Sequence, residues 1–401
     1  MKKSVLFVIN TMGQAGAEMA MLAMMKMFNP EEYDISLYVL MGQGEMIHNL
    51  PENVKLLNDT YCDTSVLVKE GKKHMIKTVL GAGINRANFI RLFVYLLANG
   101  FIMLSKRRIQ SDKLLWRVLS DGAKRFDNTF DLAIAYLEGG SAYYVADHVN
   151  ARKKAAFIHI DYGMSGYTRS LDKDCYLSFD RIFTVSDEVK ENFLKAYPEC
   201  KAATEVFHNF LDTERIMKKS MESGGFHDGF DGIRLLTVGR ITYQKAYDIA
   251  VAAMKILKDD QKNVRWYVLG DGPEREKIQR LINENGLQKD FILLGPNSNP
   301  YTYFRQADIY VHATRFEGKS IAIQEAQVLK CVIVASDCNG NREQIENGKD
   351  GVLCPLTPHD IAKAIEELLD NKDLRDKYAK EAGKRIINHT EDMEMIYELL
   401  R

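Results

Sequence analysis

Two glutamates, Glu317 and Glu325, stand eight positions apart around Gly318-Lys319-Ser320-Ile321, and upstream Arg240 and Lys245 stand five apart behind Gly239. Two cations on one turn can neutralise a diphosphate leaving group, because preorganised positive charge is worth most where negative charge develops. On these residues alone, two solvated surface cations are the lesser alternative. The two carboxylates can frame a ligand, Glu317 near its reacting end and Glu325 further back, where it can bond two vicinal hydroxyls of a ribose. A helix starting near Ser320 would aim its free amides and positive dipole end at an anion. Glutamates eight apart also arise by chance in helix-rich chains. What lifts this pair is its place after a strand, with glycine next and basic residues upstream. Between the two clusters, Gly270-Asp271-Gly272-Pro273 is a tight turn, either a plain loop or one that brings backbone close to a ligand.

The first half carries weaker candidates. Gly13 and Gly16 lie in Met12-Gly13-Gln14-Ala15-Gly16-Ala17-Glu18, where glycine permits close backbone approach. The third glycine of a dinucleotide fingerprint is missing and no acidic residue ends the next strand, so a dinucleotide cofactor is not expected. Glu138-Gly139-Gly140 follows one strand and His159-Ile160-Asp161-Tyr162 another. By residue type alone, a single histidine at a strand end is a structural hydrogen-bonding group. His208-Asn209 reads equally as a capped turn. Asp172-Lys173-Asp174 matches a DxD metal motif, but it follows no strand and the cations above already supply what a metal would; no metal is expected.

The elements that must position these groups are short β-branched runs alternating with amphipathic segments, the pattern of parallel sheets covered by helices. Strands are predicted at 4–9, 34–39, 54–57, 132–136, 154–158, 182–185 and 205–207, then at 233–238, 264–269, 291–294, 309–312, 332–335 and 352–354. A helix is predicted over 247–257, and three basic amphipathic helical segments between the third and fourth strands. The Gly-rich stretch 222–229 reads as a linker. At 401 residues two cores are expected. The predicted domains are 1–215 and 216–385, with a C-terminal helix over 386–401 that can return to the first.

Charge is balanced, 54 basic against 55 acidic side chains, which gives no pull toward nucleic acid. Its distribution is uneven. Thirteen Lys and Arg face only Glu70, Asp112 and Asp121 between 69 and 125, interleaved with Leu92, Phe93, Leu96, Leu97, Phe101 and Leu104. Such a face can lie on anionic lipid; the alternative is helices that cover the sheet and solvate their outer sides. The apolar run 89–104 is broken by Arg91, Asn99 and Gly100 and falls short of a membrane span. The start of the chain runs straight into a strand-like segment too short for a signal peptide. Six cysteines without CxxC spacing argue against zinc and disulfides and for a reducing, cytoplasmic compartment.

Taken in order, Gly239-Arg240…Lys245, Gly270-Asp271-Gly272-Pro273 and the Glu317…Glu325 pair resemble the donor-binding half of family 4 retaining glycosyltransferases. The fold this implies is GT-B, two Rossmann-like doubly wound α/β domains facing across a cleft, with an acceptor-binding first domain and a nucleotide-sugar-binding second. The Gly318-Lys319-Ser320 variant is similar to capsule and exopolysaccharide transferases. The resemblance implies that Arg240 and Lys245 hold the donor diphosphate, Glu317 contacts the donor sugar and Glu325 binds the ribose. It puts the amides of Lys319, Ser320 and Ile321 toward phosphate or sugar, the base near Asn297, and Gly13 and Gly16 near the phosphates or the acceptor. Phe157-Ile158-His159-Ile160-Asp161-Tyr162 resembles the segment whose histidine points at donor sugar and acceptor, which makes His159 a catalytic candidate. Glu138, Gly139 and Asp161 become acceptor-side candidates. The donor implied is a UDP-sugar and the acceptor a glycan; the basic face between 69 and 125 adds the expectation of a polyprenyl-linked acceptor met by a cytoplasmic protein at the inner face of the cell membrane. Two rivals stay open: a nucleotide-sugar epimerase or hydrolase of the same fold, and a non-catalytic subunit that binds glycan or a partner transferase.

Overall fold

The computed structural model describes residues 2–65, 69–84, 89–105 and 111–401. Arg86 and the run Lys106-Arg107-Arg108, part of the basic segment, lie outside the described residues.

The first sheet is built from β1 (Lys3–Ile9), β2 (Tyr33–Val39), β3 (Val54–Leu56), β4 (Phe130–Ala135), β5 (Ala151–Ile158), β6 (Arg181–Thr184) and β7 (Thr204–Val206). The second is built from β8 (Ile233–Val238), β9 (Val264–Leu269), β10 (Phe291–Gly295), β11 (Ile309–His312), β12 (Ile333–Ser336) and β13 (Val352–Cys354). The orders are β3-β2-β1-β4-β5-β6-β7 and β10-β9-β8-β11-β12-β13. All pairings named for these strands are parallel, which requires a crossover between each pair and buries both faces. Strand order therefore reverses between β1 and β4 in one sheet and between β8 and β11 in the other. Next to such a reversal two crossovers leave in opposite directions, and the crevice outside the strand ends is where doubly wound sheets bind ligands.

Each sheet separates two apolar layers. Along β1, Leu6 and Val8 join Tyr143 and Val145 on one side, while Val5, Phe7 and Ile9 join the other. In the second sheet Leu235 packs with Val251 and Ile365, and its neighbour Leu236 with Ile323 and Ile333. Consecutive residues buried on opposite faces explain why these strands read as continuous apolar runs.

The chain forms two compact units, Met1–Phe210 with Asn388–Arg401, and Leu211–Ile387. The first crossing thus precedes the boundary expected at 215, and the Gly-rich stretch 222–229 is not the linker. It lies inside the second unit, where Gln306 Nε2 donates to Gly224 O at 2.8 Å and Arg265 bonds Asp228 at 2.7 Å. The helix Thr213–Ser220, capped by Asp212 on the Arg215 amide, belongs to the second unit because Leu211 and Ile216 join its core. The returning tail packs on the first unit: Met393, Ile396 and Leu400 of the helix Met393–Leu400 are buried in its core. His208 receives this tail, with Asp392 Oδ2 accepting from its amide at 2.7 Å and lying 2.8 Å from its Nδ1.

Between β3 and β4 run the helices Lys69–Ile84, Phe89–Ser105 and Ser111–Gly122. Tyr95, Asn99 and Met103 of the middle one face inward; Tyr95 donates to Leu171 O at 3.1 Å and Ser170 to Asn99 Oδ1 at 2.9 Å. The opposite side is apolar and open. Phe93, Leu97, Phe101 and Leu104 are 61, 57, 73 and 61% exposed. Among the described residues no helix is long and apolar enough to cross a membrane.

Candidate active site

The loops after β8 and β11, neighbours at the strand-order reversal, bring the principal candidates together. After β8 the chain makes a turn at Tyr243–Lys245 and passes through Ala246, a buried non-glycine residue at φ 48°, before the helix Tyr247–Asp259. A left-handed alanine is strained and persists only where its surroundings fix it. The lacing that fixes it is local: Thr314 Oγ1 donates to Gln244 O at 3.0 Å, the Arg315 amide to the same oxygen at 2.8 Å, and Gln244 Nε2 to Phe316 O at 2.8 Å. The turn after β8 is thereby bound to the turn after β11.

That lacing sets Lys245 against Glu317, and the ammonium donates to Glu317 Oε2. Burial pushes the Glu317 carboxyl up, but the Lys245 cation and a hydrogen bond from His312 outweigh it and hold the group down at about 2. The pair is partly buried, so removing one partner alone leaves the other charge poorly compensated. Arg240 sits apart. It is exposed and forms no ion pair among the described residues. The second predicted cation is thus free to meet an anion, while the first is held in reserve on a carboxylate.

Ser320 is the N-cap of the helix Ile321–Val328, in extended backbone and without a side-chain cap bond, so the first-turn amides keep their donors. Gly318 and Ser320 are buried beside Glu317. One turn on, Glu325 Oε1 accepts from Tyr301 O–H at 2.9 Å. Burial raises the Glu325 carboxyl to about 7, more than Tyr301 and the Arg215 cation lower it.

The glycines behave differently from one another. A Cβ on Gly270 would lie 2.0 Å from Gly239 O, and one on Gly272 2.3 Å from Ile241 O. Glycine is demanded there by one loop packing on another, not by room for a ligand. A Cβ on Gly13 meets nothing within 4 Å, so only an outside group can require glycine at that place. Gly16 starts the helix Gly16–Met25. Asn297 spends its Oδ1 on the Asn299 amide at 2.8 Å, a local turn bond.

In the first unit Glu138 and His159 meet across β4 and β5. The His159 amide donates to Glu138 Oε2 at 3.0 Å, and burial raises the Glu138 carboxyl. Burial also lowers His159 to about 4, against a hydrogen bond to the Tyr136 backbone. Nε2 of His159 is buried with no hydrogen-bond partner among the described residues. The Tyr136 bond must therefore use Nδ1–H, which leaves Nε2 as a bare acceptor. Asp161 is bonded by Asn192 Nδ2 at 2.9 Å and its carbonyl accepts from the Ser165 amide. Gly139 takes φ 78° against the Tyr167 hydroxyl.

Asp172 of the DxD match is fully buried, bonded by the Tyr143 hydroxyl at 2.7 Å, by that of Tyr197 at 3.3 Å and by that of Tyr162. Its oxygens are taken by neutral donors, an arrangement that builds a core and leaves no ligand face for an ion.

Two groups escaped the sequence reading. His312 ends β11, 1% exposed, with Nε2 3.3 Å from Glu317 Oε2. Gly340 packs so closely that a Cβ would lie 2.0 Å from Gly318 O and 2.5 Å from Glu317 O. A polar residue at the end of a buried strand was the available signal for the first; the second has no sequence signal.

A tandem of two parallel doubly wound sheets is the GT-B fold, and comparison with solved structures shows the same fold. The crystal structure of HepE of Anabaena in complex with UDP-glucose superposes with a TM-score of 0.68 at 14% identity, covering 99% of each chain. Residues 230–385 match the family model for glycosyl transferases group 1. Among curated relatives, a Campylobacter jejuni N-acetylgalactosamine-N,N'-diacetylbacillosaminyl-diphospho-undecaprenol 4-alpha-N-acetylgalactosaminyltransferase is 28% identical over 201 residues, 50% of this chain and 52% of that protein. The alpha-D-kanosaminyltransferase of Streptomyces kanamyceticus is 31% identical over 153 residues, 37% and 39% of the two chains. The chain spans about half the length, or less, of these relatives.

Proposed function

We propose that the protein is a retaining, metal-independent glycosyltransferase that moves a hexose or N-acetylhexosamine from a UDP-sugar to a glycan or lipid-linked acceptor in cell-surface polysaccharide synthesis. The observation that carries this reading is the Lys245–Glu317 pair at the strand-order reversal of the second sheet, with Arg240 exposed in the same loop after β8 and in no ion pair among the described residues. Names of relatives that transfer amino sugars, one of them onto a diphospho-undecaprenol glycan, support the donor and acceptor classes.

In the proposed reaction the bond between the anomeric carbon and the β-phosphate oxygen breaks as the acceptor oxygen attacks the same face. The acceptor proton passes to the departing phosphate oxygen, so no enzymic base is needed. Arg240, the Lys245 ammonium and the amides of Lys319, Ser320 and Ile321 stabilise the leaving diphosphate. Lys245 can shift from Glu317 toward the phosphate while Glu317 takes a sugar hydroxyl. Glu325 holds the ribose, and the bare Nε2 of His159 is an acceptor that the first unit offers to a substrate hydroxyl. The basic helices set the acceptor side at the cytoplasmic face of an anionic membrane.

A panel of nucleotide sugars tests the reading. A UDP-sugar should raise the melting temperature by mass action and be turned over with an acceptor glycan. Arg240→Ala and Lys245→Ala should each lose at least about 100-fold in turnover, in line with removal of a charge stabiliser, while remaining folded. Chelator should leave the rate unchanged. Wild-type rates in both variants, turnover of donor without acceptor alone, or abolition by chelator would each refute the part of the mechanism they address.

A further inference from the structure

The Glu317 carboxylate receives two donors on one oxygen. Lys245 and His312 both converge on Oε2, whereas among the described residues Oε1 has only Gln244 Nε2 at 3.5 Å, a marginal contact. Behind His312 the hydroxyl of Tyr310 lies 2.9 Å from Nδ1, and Tyr310 is 0% exposed. The two residues are two apart on β11 and so share a sheet face, on the core side that also holds Leu236 and Ile333.

The protonation pattern follows from the partners. Burial and the nearby Lys245 cation lower His312 to about 4, so the ring is neutral and has a single N–H. The partner of Nε2 is an ionised carboxylate that can only accept, which puts the proton on Nε2. Nδ1 is then an acceptor, and the Tyr310 O–H fills it. Tyr310 thus satisfies the tautomer that Glu317 sets, and His312 donates to Glu317 without adding charge.

This arrangement answers a difficulty in the proposed reaction. When Lys245 moves to the diphosphate, Glu317 would become a partly buried carboxylate without compensation, which is costly. A neutral donor that stays behind limits that cost. Fixing Oε2 also leaves Oε1 as the oxygen offered to a ligand. We propose that His312, its Nδ1 satisfied by Tyr310, is a positioning residue that keeps Glu317 aligned on the donor sugar while Lys245 is released to the leaving group. The proposal rests on the donor-site reading above.

The test uses the full-length protein with UDP and UDP-sugars as probes. His312→Leu removes the donor, His312→Gln keeps an amide donor of similar reach, and Tyr310→Phe keeps the ring but leaves Nδ1 without its donor. UDP lacks the sugar that Glu317 meets, so its affinity by calorimetry should stay within about threefold of wild type in all three. Turnover of a UDP-sugar should fall about 100-fold in His312→Leu, the usual scale for a misplaced reacting group, about tenfold or less in His312→Gln, and to an intermediate extent in Tyr310→Phe. Melting curves identify variants that fail to fold, and the conservative His312→Gln and Tyr310→Phe carry the test if His312→Leu is one of them. Turnover within twofold of wild type in folded His312→Leu, a His312→Gln as impaired as His312→Leu, or full activity in Tyr310→Phe would overturn the role. Wild-type protein that binds no UDP would instead remove the donor-site reading and leave the hydrogen-bond assignment untouched.

Discussion

Glu317 and Glu325 stand eight residues apart, yet one is held at about 2 and the other raised to about 7, and their partners explain why. Glu317 faces an ammonium and a histidine N–H, whereas Glu325 has one phenolic hydroxyl against the same kind of burial. The unfolded value for Glu325 is near 4.5 and the folded value is raised to about 7. Its contribution to stability is then fully present below about pH 4.5 and is lost as pH rises through about 7, because the folded site must carry a poorly compensated charge. Glu325→Gln removes that term. The variant should match wild type in melting temperature near pH 4.5 and exceed it by a few degrees at about pH 8. Differential scanning fluorimetry across this range decides it. A gain confined to acid, or none at either end, would show that the carboxyl is better solvated than its surroundings indicate.

At the scale of the element, the turns are tuned by what packs behind them. The Glu317-Gly318 turn rests on Gly340, in the short helix Asn339–Arg342. Gly340→Ala would place a methyl against two carbonyl oxygens at 2.0 and 2.5 Å, so the turn carrying Glu317 must move. Overpacking of this kind costs about 1–3 kcal/mol, and displacement of a reacting group by about 1 Å costs up to about 100-fold in rate. Gly340→Ala should therefore lose both melting temperature and turnover. Gly13→Ala, with open space around it, should keep its melting temperature and lose turnover alone if a substrate occupies that space. Stability loss in Gly13→Ala, or an unchanged Gly340→Ala, would contradict the packing. This contrast also marks what the sequence discloses. All thirteen strands and the three basic helices were legible, because β-branched runs and helical periodicity are local signals, as were the positions of Lys245, Glu317 and the Ser320 helix start. His312 and Gly340 were not. Their partners lie across the sheet or in another loop, and nothing in the local spacing records a contact of that kind. The glycine-rich stretch 222–229 misled for the complementary reason: its composition suits a linker, while Gln306 and Arg265, which bind it down, are far along the chain.

For the molecule as a whole, two features separate the units in kind. The first unit is closed by its own C-terminal tail, where Tyr397 stacks on Tyr33 at 5.8 Å and meets Phe28 edge-on at 6.0 Å. It also carries nearly all the chain's unevenness of charge, although the total is only −1. The outer side of its middle basic helix is not a solvated charged face. Phe93, Leu97, Phe101 and Leu104 follow one another at helical spacing and remain more than half exposed, while Lys72, Lys73 and Lys77 are exposed on the preceding helix. An apolar ridge within a basic segment fits the interface of an anionic bilayer, where the ridge enters the acyl boundary and each cation near the surface adds about 1 kcal/mol. The protein should float with phosphatidylglycerol-containing vesicles and bind phosphatidylcholine vesicles much less. Salt should weaken the binding, because the cationic part is screened over about 10 Å at moderate ionic strength. Leu97→Asp with Phe101→Asp should abolish flotation while leaving turnover of a soluble acceptor intact, since both side chains already face outward and support no core. Equal failure to bind either vesicle, or undiminished flotation of the double variant, would dismiss the membrane surface and leave the ridge without that occupant.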